Sequence, residues 1–216
     1  MTLKCVIFDI DGTLSETGNL IFDSFNHIAE RYRGRRYTED EIIRMFGPPE
    51  DVALLNIVGP EAIDKAMGEY LQYYRAHHAE RARLHPGMRE VLDFLKRRRC
   101  KLAIFTGKGT QTTRITLEEL GIAGFFDYVV TGNDVTNHKP SPEGIRKILT
   151  EFNLKPEEAL MIGDGVGDVK ASHEAGVRIG LVLWDSYAKQ RVQDLRPDYV
   201  FRTVRELEEW VGTNLG

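Results

Sequence analysis

Cys5-Val6-Ile7-Phe8-Asp9-Ile10-Asp11-Gly12-Thr13-Leu14 sets a short apolar run directly against two carboxylates and a glycine. The run from Cys5 to Phe8 is β-branched and aromatic, which reads as a buried strand. Gly12 ends it and permits a sharp turn. In an open α/β sheet, ligands bind beyond the carboxyl ends of the strands, so Asp9 and Asp11 fall at the active edge. Two acids held together there are costly unless a cation or a proton compensates them. The pair asks for a metal, a reaction, or both.

From about Leu84 onward the chain alternates strands and helices. A turn at Leu84-His85-Pro86-Gly87 precedes a helical stripe of Met88, Val91, Leu92 and Leu95. Strands are expected at Lys101 to Thr106, Asp127 to Val130, Ala159 to Ile162, Arg178 to Leu183 and Asp198 to Phe201. Between and after them come helices ending near Leu120, opening at Pro142, spanning Val166 to Ala175, and carrying Val204, Leu207, Trp210 and Val211. Such alternation predicts a parallel sheet covered on both faces, an α/β core.

Residues 15–84 break that rhythm. Ile21, Phe22, Phe25, Ile28, Ala29 and Tyr32 fall at helical spacing. Thr38 with Glu41 forms a capping box, and Gly47-Pro48-Pro49 stops the short helix behind it. A third helix is expected from Asp51 to Val58 and a fourth from near Pro60. The expected organisation is an all-α unit at 15–84, inserted into a core made of 1–14 and 85–216.

Composition bounds the function. The 216 residues carry 29 Lys plus Arg against 33 Asp plus Glu, a net charge of −4, which gives no electrostatic case for nucleic acid or an anionic membrane. No apolar stretch approaches the roughly 20 residues of a membrane span, and no leader precedes the first strand, so a cytoplasmic protein is expected. Cys5 and Cys100 both sit at apolar runs and read as small core residues.

Three further strand ends carry chemistry. Thr106-Gly107-Lys108-Gly109 offers a hydroxyl and backbone N–H groups before a helix, which suits an anionic oxygen. Lys139, in His138-Lys139-Pro140-Ser141-Pro142, supplies a positive charge on a loop that a proline closes. Gly163-Asp164-Gly165-Val166-Gly167-Asp168 brings two more acids to another strand end. Asp9, Asp164 and Asp168 are hard oxygen donors of the kind that suits Mg2+. Each element alone is weak, since a Thr-Gly turn or a lone Lys-Pro is most often plain surface. Their order and spacing together, all at ends of expected parallel strands, carries the signal.

In that arrangement the chain resembles the haloacid dehalogenase superfamily over essentially its whole length. Its motifs fall on Asp9 and Asp11, then Thr106, then Lys139, then Asp164 with Asp168. The insert at 15–84 is similar to the family's helical cap, and the whole most resembles the phosphoglycolate phosphatase-like group, which includes pyrophosphatases and nucleotidases. The resemblance implies a Rossmann-like α/β core with an inserted all-α cap, and a Mg2+-dependent phosphatase acting on a small phosphorylated metabolite through an aspartyl-phosphate. Asp9 would be the nucleophile and Asp11 the general acid–base. Thr106, Gly107 and Lys139 would hold the phosphoryl oxygens. Asp9, Asp164 and the backbone carbonyl of Asp11 would bind the metal, with Asp168 orienting metal waters or Lys139 behind them. In similar proteins the cap loop equivalent to Gly47-Pro48-Pro49 reaches the active site. True dehalogenases of the family lack the second aspartate. Phosphonate hydrolysis needs a cap lysine, and the insert offers Lys65 alone. A β-phosphoglucomutase-type phosphomutase, an inorganic pyrophosphatase and a non-catalytic binding protein are the alternatives. Neither the leaving group nor the oligomeric state is legible.

Overall fold

A computed structural model describes residues 3–185 and 195–215. Its centre is β1 (Cys5–Phe8), all four residues buried. The neighbouring strands are β4 (Lys101–Phe105), β5 (Tyr128–Val130), β6 (Ala159–Gly163), β7 (Arg178–Val182) and β8 (Tyr199–Phe201). They form a six-stranded sheet in the order β5-β4-β1-β6-β7-β8, with every pairing parallel. The chain leaves β1 toward β4 on one side and returns on the other at β6, so β1 is the topological switch point.

Side-chain alternation along these strands builds two cores. Val6, Phe8, Leu102, Ile104, Leu160 and Ile162 face one side, packed by α5 (Met88–Arg97) and α9 (Val204–Asn214). Cys5, Ile7, Ala103, Phe105, Ala159 and Met161 face the other, under α7 (Glu143–Glu151) and α8 (Val166–Ala175). Both cysteines are buried free thiols. Each large side chain sealed in these layers contributes roughly 1.5–3 kcal/mol against exposure. A strand buried on both faces needs apolar residues at every position, which is why β1 shows no polar alternation.

Between β1 and β4 lie α1 (Gly18–Arg33), α2 (Glu39–Ile43), α3 (Glu50–Val58) and α4 (Ile63–Arg81). Thr38 and Glu41 close the capping box on α2. The four helices share an apolar cluster that includes Leu20, Phe25, Ile28, Leu54, Ile57, Tyr70 and Tyr74, and it also takes in Ile115 from α6 (Thr110–Glu119). Where the chain enters and leaves this helical part, β2 (Ser15–Glu16) pairs antiparallel with β3 (Arg83–Leu84). That two-residue ribbon is too short for any periodicity to announce it.

Several element ends differ slightly from expectation. The β4 strand stops at Phe105 rather than Thr106, although the Thr106 N–H still donates to the Val130 carbonyl at 3.0 Å. The β7 strand stops at Val182, one residue before Leu183. Helix α3 begins at Glu50, behind an extended Pro49. The fourth helix starts at Ile63, beyond a Gly59–Ala62 turn, rather than near Pro60. No described helix is long and apolar enough to cross a membrane.

Candidate active site

The carboxyl ends of β1, β4 and β6 lie side by side, with Phe8 in register with Ile104 and Ile162. Asp9 follows β1, Thr106 follows β4 and Asp164 follows β6, so sheet pairing alone brings the three motif residues to one edge. Lys139 and Asp168 complete the group. The Lys139 ammonium lies 2.6 Å from Asp168 Oδ1 and 3.2 Å from Asp9 Oδ2. It also stands 4.7 Å above the Phe105 ring. Asp9 Oδ1 accepts the Ile10 N–H at 2.7 Å, and Asp164 Oδ1 accepts the Thr13 hydroxyl at 3.2 Å.

Charge balance decides what this group does. Ligand atoms of Asp9, Asp164 and Asp168 all lie within 4.8 Å of one another. Burial pushes the Asp9 carboxyl up to about 6, opposed by Lys139 and reinforced by Asp168 and Asp11. Burial, then Asp168 and Asp9, raise Asp164 well above the usual carboxylate range. Burial alone would lower Lys139, but Asp168 and Asp9 outweigh it and its pKa rises. Three acids thus face one ammonium, and the excess negative charge on hard oxygen donors fits a divalent cation such as Mg2+. A Cβ on Gly12 would come within 2.7 Å of Asp164 Oδ2, so the turn after β1 must be glycine for the two motifs to meet.

Asp11 faces a different partner set. Its Oδ2 accepts from Lys108 Nζ at 3.0 Å and its Oδ1 from the Thr17 hydroxyl. Its side chain lies outside the three-acid cluster. The Thr106 side chain is nearly sealed and accepts the Lys108 N–H at 3.2 Å, which tightens the Thr106-Gly107-Lys108-Gly109 turn. Gly107 packs on the cap loop: a Cβ there would sit 2.9 Å from the Gly47 carbonyl oxygen. Trp184 both packs against the core and donates from its indole N–H to the Thr13 carbonyl at 3.1 Å, bracing the loop after β1.

Two buried charged side chains beside the site escaped the sequence reading. Lys108 is 1% exposed and lies between Asp11 and Glu50, the second at 3.7 Å. Burial would lower its pKa, but Asp11, Tyr74 and Glu50 raise it well above the usual value. Glu50 is itself buried at the start of α3. The only available signal was the lysine held between two glycines at a strand end, and a solvated lysine looks the same in sequence. His77 and His78 take no part in an acid–imidazole metal cluster among the described residues.

A parallel sheet whose switch point gathers carboxylates, a hydroxyl and a buried ammonium has the make-up of an α/β enzyme's active edge. Its family follows from likeness to known proteins. The model of the haloacid dehalogenase-like hydrolases matches residues 6–182, and the chain belongs to that family. A pyrophosphatase PpaX from Halalkalibacterium halodurans is 34% identical over 212 residues, 98% of each chain. A predicted phosphoglycolate phosphatase from Haemophilus somnus shares the fold at a TM-score of 0.82 and 22% identity, covering 98% of this chain and 99% of that one. A subfamily IA hydrolase of the superfamily from Geobacter sulfurreducens superposes at a TM-score of 0.70 with 26% identity, covering 97% of both chains.

Proposed function

We propose that the protein is a Mg2+-dependent phosphohydrolase of a small phosphorylated metabolite, working through an aspartyl-phosphate on Asp9. The observation that carries this reading is the shared edge of β1, β4 and β6, with Lys139 placed between Asp9 and Asp168. In the proposed first step an Asp9 oxygen attacks phosphorus, the bond from phosphorus to the leaving oxygen breaks, and Asp11 gives that oxygen a proton. In the second step water attacks the aspartyl-phosphate. Asp11 takes the water's proton, the Asp9–phosphorus bond breaks, and inorganic phosphate leaves. Thr106, the Gly107 backbone and Lys139 hold the phosphoryl oxygens and offset charge that builds on them. Asp168, bonded to Lys139 and to the Gly165 N–H at 3.0 Å, fixes where that ammonium points. Mg2+ would be held by Asp9, Asp164 and the Asp11 carbonyl, and it supplies charge neutralisation between an anionic nucleophile and an anionic phosphate. The helical part over residues 15–84, as a cap unit closing on the core of 1–14 and 85–216, would admit the substrate and select its leaving group.

A pyrophosphate substrate is the second reading, favoured by the naming of relatives matched over nearly their whole length as pyrophosphatases. One experiment tests both: phosphate release with Mg2+ from 2-phosphoglycolate, pyrophosphate, nucleoside monophosphates and sugar phosphates, with Asp9→Asn as the blank. The amide that this substitution introduces is no nucleophile, so turnover should vanish. Full activity in a clean preparation of the variant would sink the mechanism. Isomerised rather than hydrolysed sugar, with a bisphosphate supplied, would mark a phosphomutase instead.

A further inference from the structure

The segment Gly47-Pro48-Pro49-Glu50 crosses from the helical part to the loops beyond β4 and β5. A Cβ on Gly132 would lie 3.1 Å from Pro49 Cβ, and one on Gly107 would strike the Gly47 carbonyl, so the backbones meet without room for side chains. From this contact Glu50, 7% exposed, reaches the first turn of α6. Its Oε2 accepts the Gly109 N–H at 2.6 Å and its Oε1 accepts the Thr112 hydroxyl at 2.8 Å. Asp51, the next residue, accepts from Asn133 Nδ2 at 3.2 Å, and Asn133 Oδ1 accepts the Thr110 N–H at 2.8 Å.

Helix starts expose unpaired N–H groups and partial positive charge, which an acid satisfies. Gly109 at the N-cap of α6 has no side chain to do this, and the first turn Thr110-Gln111-Thr112-Thr113 contains no acid. The missing carboxylate comes from α3. Lys108 sits inside the turn that Glu50 pins, and its ammonium bridges Glu50 and Asp11. The Lys108 carbonyl in turn accepts the Gly132 N–H at 2.9 Å, so the pinned turn is tied to the loop beyond β5 as well.

We propose that Glu50 is a positioning residue: a latch through which seating of the helical part on the core sets Lys108, and through Lys108 the carboxylate of Asp11. The proposal rests on the reading of Asp11 as the proton-transfer group. With Glu50 withdrawn, the first turn of α6 loses its acid and Lys108 loses one of its two carboxylates. The Asp11 side chain then keeps a partner whose position is no longer fixed. Glu50 acts through Lys108 and not on the substrate, so its loss lowers kcat and leaves KM nearly untouched, whatever the leaving group.

The test compares wild type, Glu50→Gln, Lys108→Met and the double variant, with p-nitrophenyl phosphate and pyrophosphate as probes and Mg2+ present. Glu50→Gln is isosteric, which keeps the measurement open where Glu50→Ala fails to fold. Removing one charge-assisted capping bond should lower kcat by about 10-fold, with KM changed less than about 2-fold. The double variant should be no slower than Lys108→Met alone, the signature of two residues acting in series. Exchange of the Gly109 amide, read by NMR or mass spectrometry, should quicken by about 10-fold in Glu50→Gln. Additive losses in the double variant, or a loss carried by KM, would overturn the latch, and so would an unchanged Gly109 exchange rate. Wild-type protein inert toward both probes would overturn the catalytic half together with the functional reading. The exchange arm needs no turnover and decides separately whether Glu50 holds α6.

Discussion

Lys108 is the residue on which the site's energetics turn, because one sealed ammonium answers carboxylates from two parts of the chain. Taking a charge out of water is costly, and the cost is met here by Asp11 Oδ2 at 3.0 Å, Glu50 Oε1 at 3.7 Å and the Tyr74 ring face 5.0 Å away. Lys108→Met keeps much of the volume and deletes the charge, leaving buried Glu50 with its bonds to α6 but no cation beside it. Removing one partner of a buried pair typically costs about 3–5 kcal/mol, and since Asp11 is 28% exposed and keeps some solvent, the low end of that range is expected here. Urea unfolding of the variant against wild type measures it. A loss below about 0.5 kcal/mol, the scale of an ordinary surface change, would show that the ammonium is solvated in solution. The motif residues differ from Lys108 in how sequence betrays them. Asp9, Thr106 and Asp164 were legible because each directly follows a strand whose apolar run is visible, and a strand end is a place in space. Lys139 stood out only through its place in order, after the Thr106 turn and before Asp164, since its proline-bounded loop alone reads as surface. Lys108 and Glu50 were not legible, because their significance lies in a meeting between segments far apart in sequence, which no local pattern encodes.

Among the elements, α7 shows how a helix can be tuned to hold the loop that carries Lys139. A Cβ on Gly144 would lie 2.2 Å from the Phe105 ring, so α7 rests directly on the end of β4, and that same ring underlies Lys139. Glu143, in the first turn, folds back on the loop that leads to Lys139. It accepts the Thr136 N–H at 3.0 Å, the Asn137 N–H at 2.9 Å and the Asn137 side-chain amide at 3.1 Å. Those backbone bonds, from Thr136 and then Asn137, hold its carboxyl down to about 2 from an ordinary 4.5. A carboxylate depressed in the folded state stabilises it above the unfolded pKa, and that contribution is lost as pH falls through the folded one. Glu143→Gln should therefore melt below wild type at neutral pH, with the gap narrowing between pH 4.5 and about 2. Melting curves across that window check this, and a gap independent of pH would show that shape rather than charge holds the loop. The helical and strand periods of the core were readable because each element buries a long, regular face. The β2–β3 ribbon was not, since two residues per strand carry no period.

At the scale of the whole molecule, the helical part and the sheet are joined where the chain crosses twice, at the β2–β3 ribbon, and His85 lies immediately beyond it. Its backbone N–H donates to the Leu14 carbonyl at 3.0 Å, tying the outgoing crossing to the incoming one. Its imidazole is buried, edge-on to Trp184 at 5.9 Å, with Nδ1 3.6 Å from Glu16 and Nε2 3.8 Å from Asp185. Arg83 faces it from β3 but is itself paired with Glu16 at 2.5 Å, which offsets part of that carboxylate's charge. Burial wins over Glu16, with Arg83 assisting, and the His85 pKa falls below its ordinary value of 6.5. A histidine kept neutral in the fold binds its proton on unfolding, so its contribution is present above the unfolded pKa of about 6.5 and is lost as pH drops below it. His85→Gln retains a polar side chain and removes the titration. Wild type should lose melting temperature between about pH 6.5 and 5 more steeply than His85→Gln does, with the two curves closest in slope above about pH 7. Parallel curves over the acid range would show that Glu16 and Asp185 hold the imidazolium as readily as water does. A steeper wild-type curve would place a share of the fold's loss of stability between about pH 6.5 and 5 at the junction through which both crossings run.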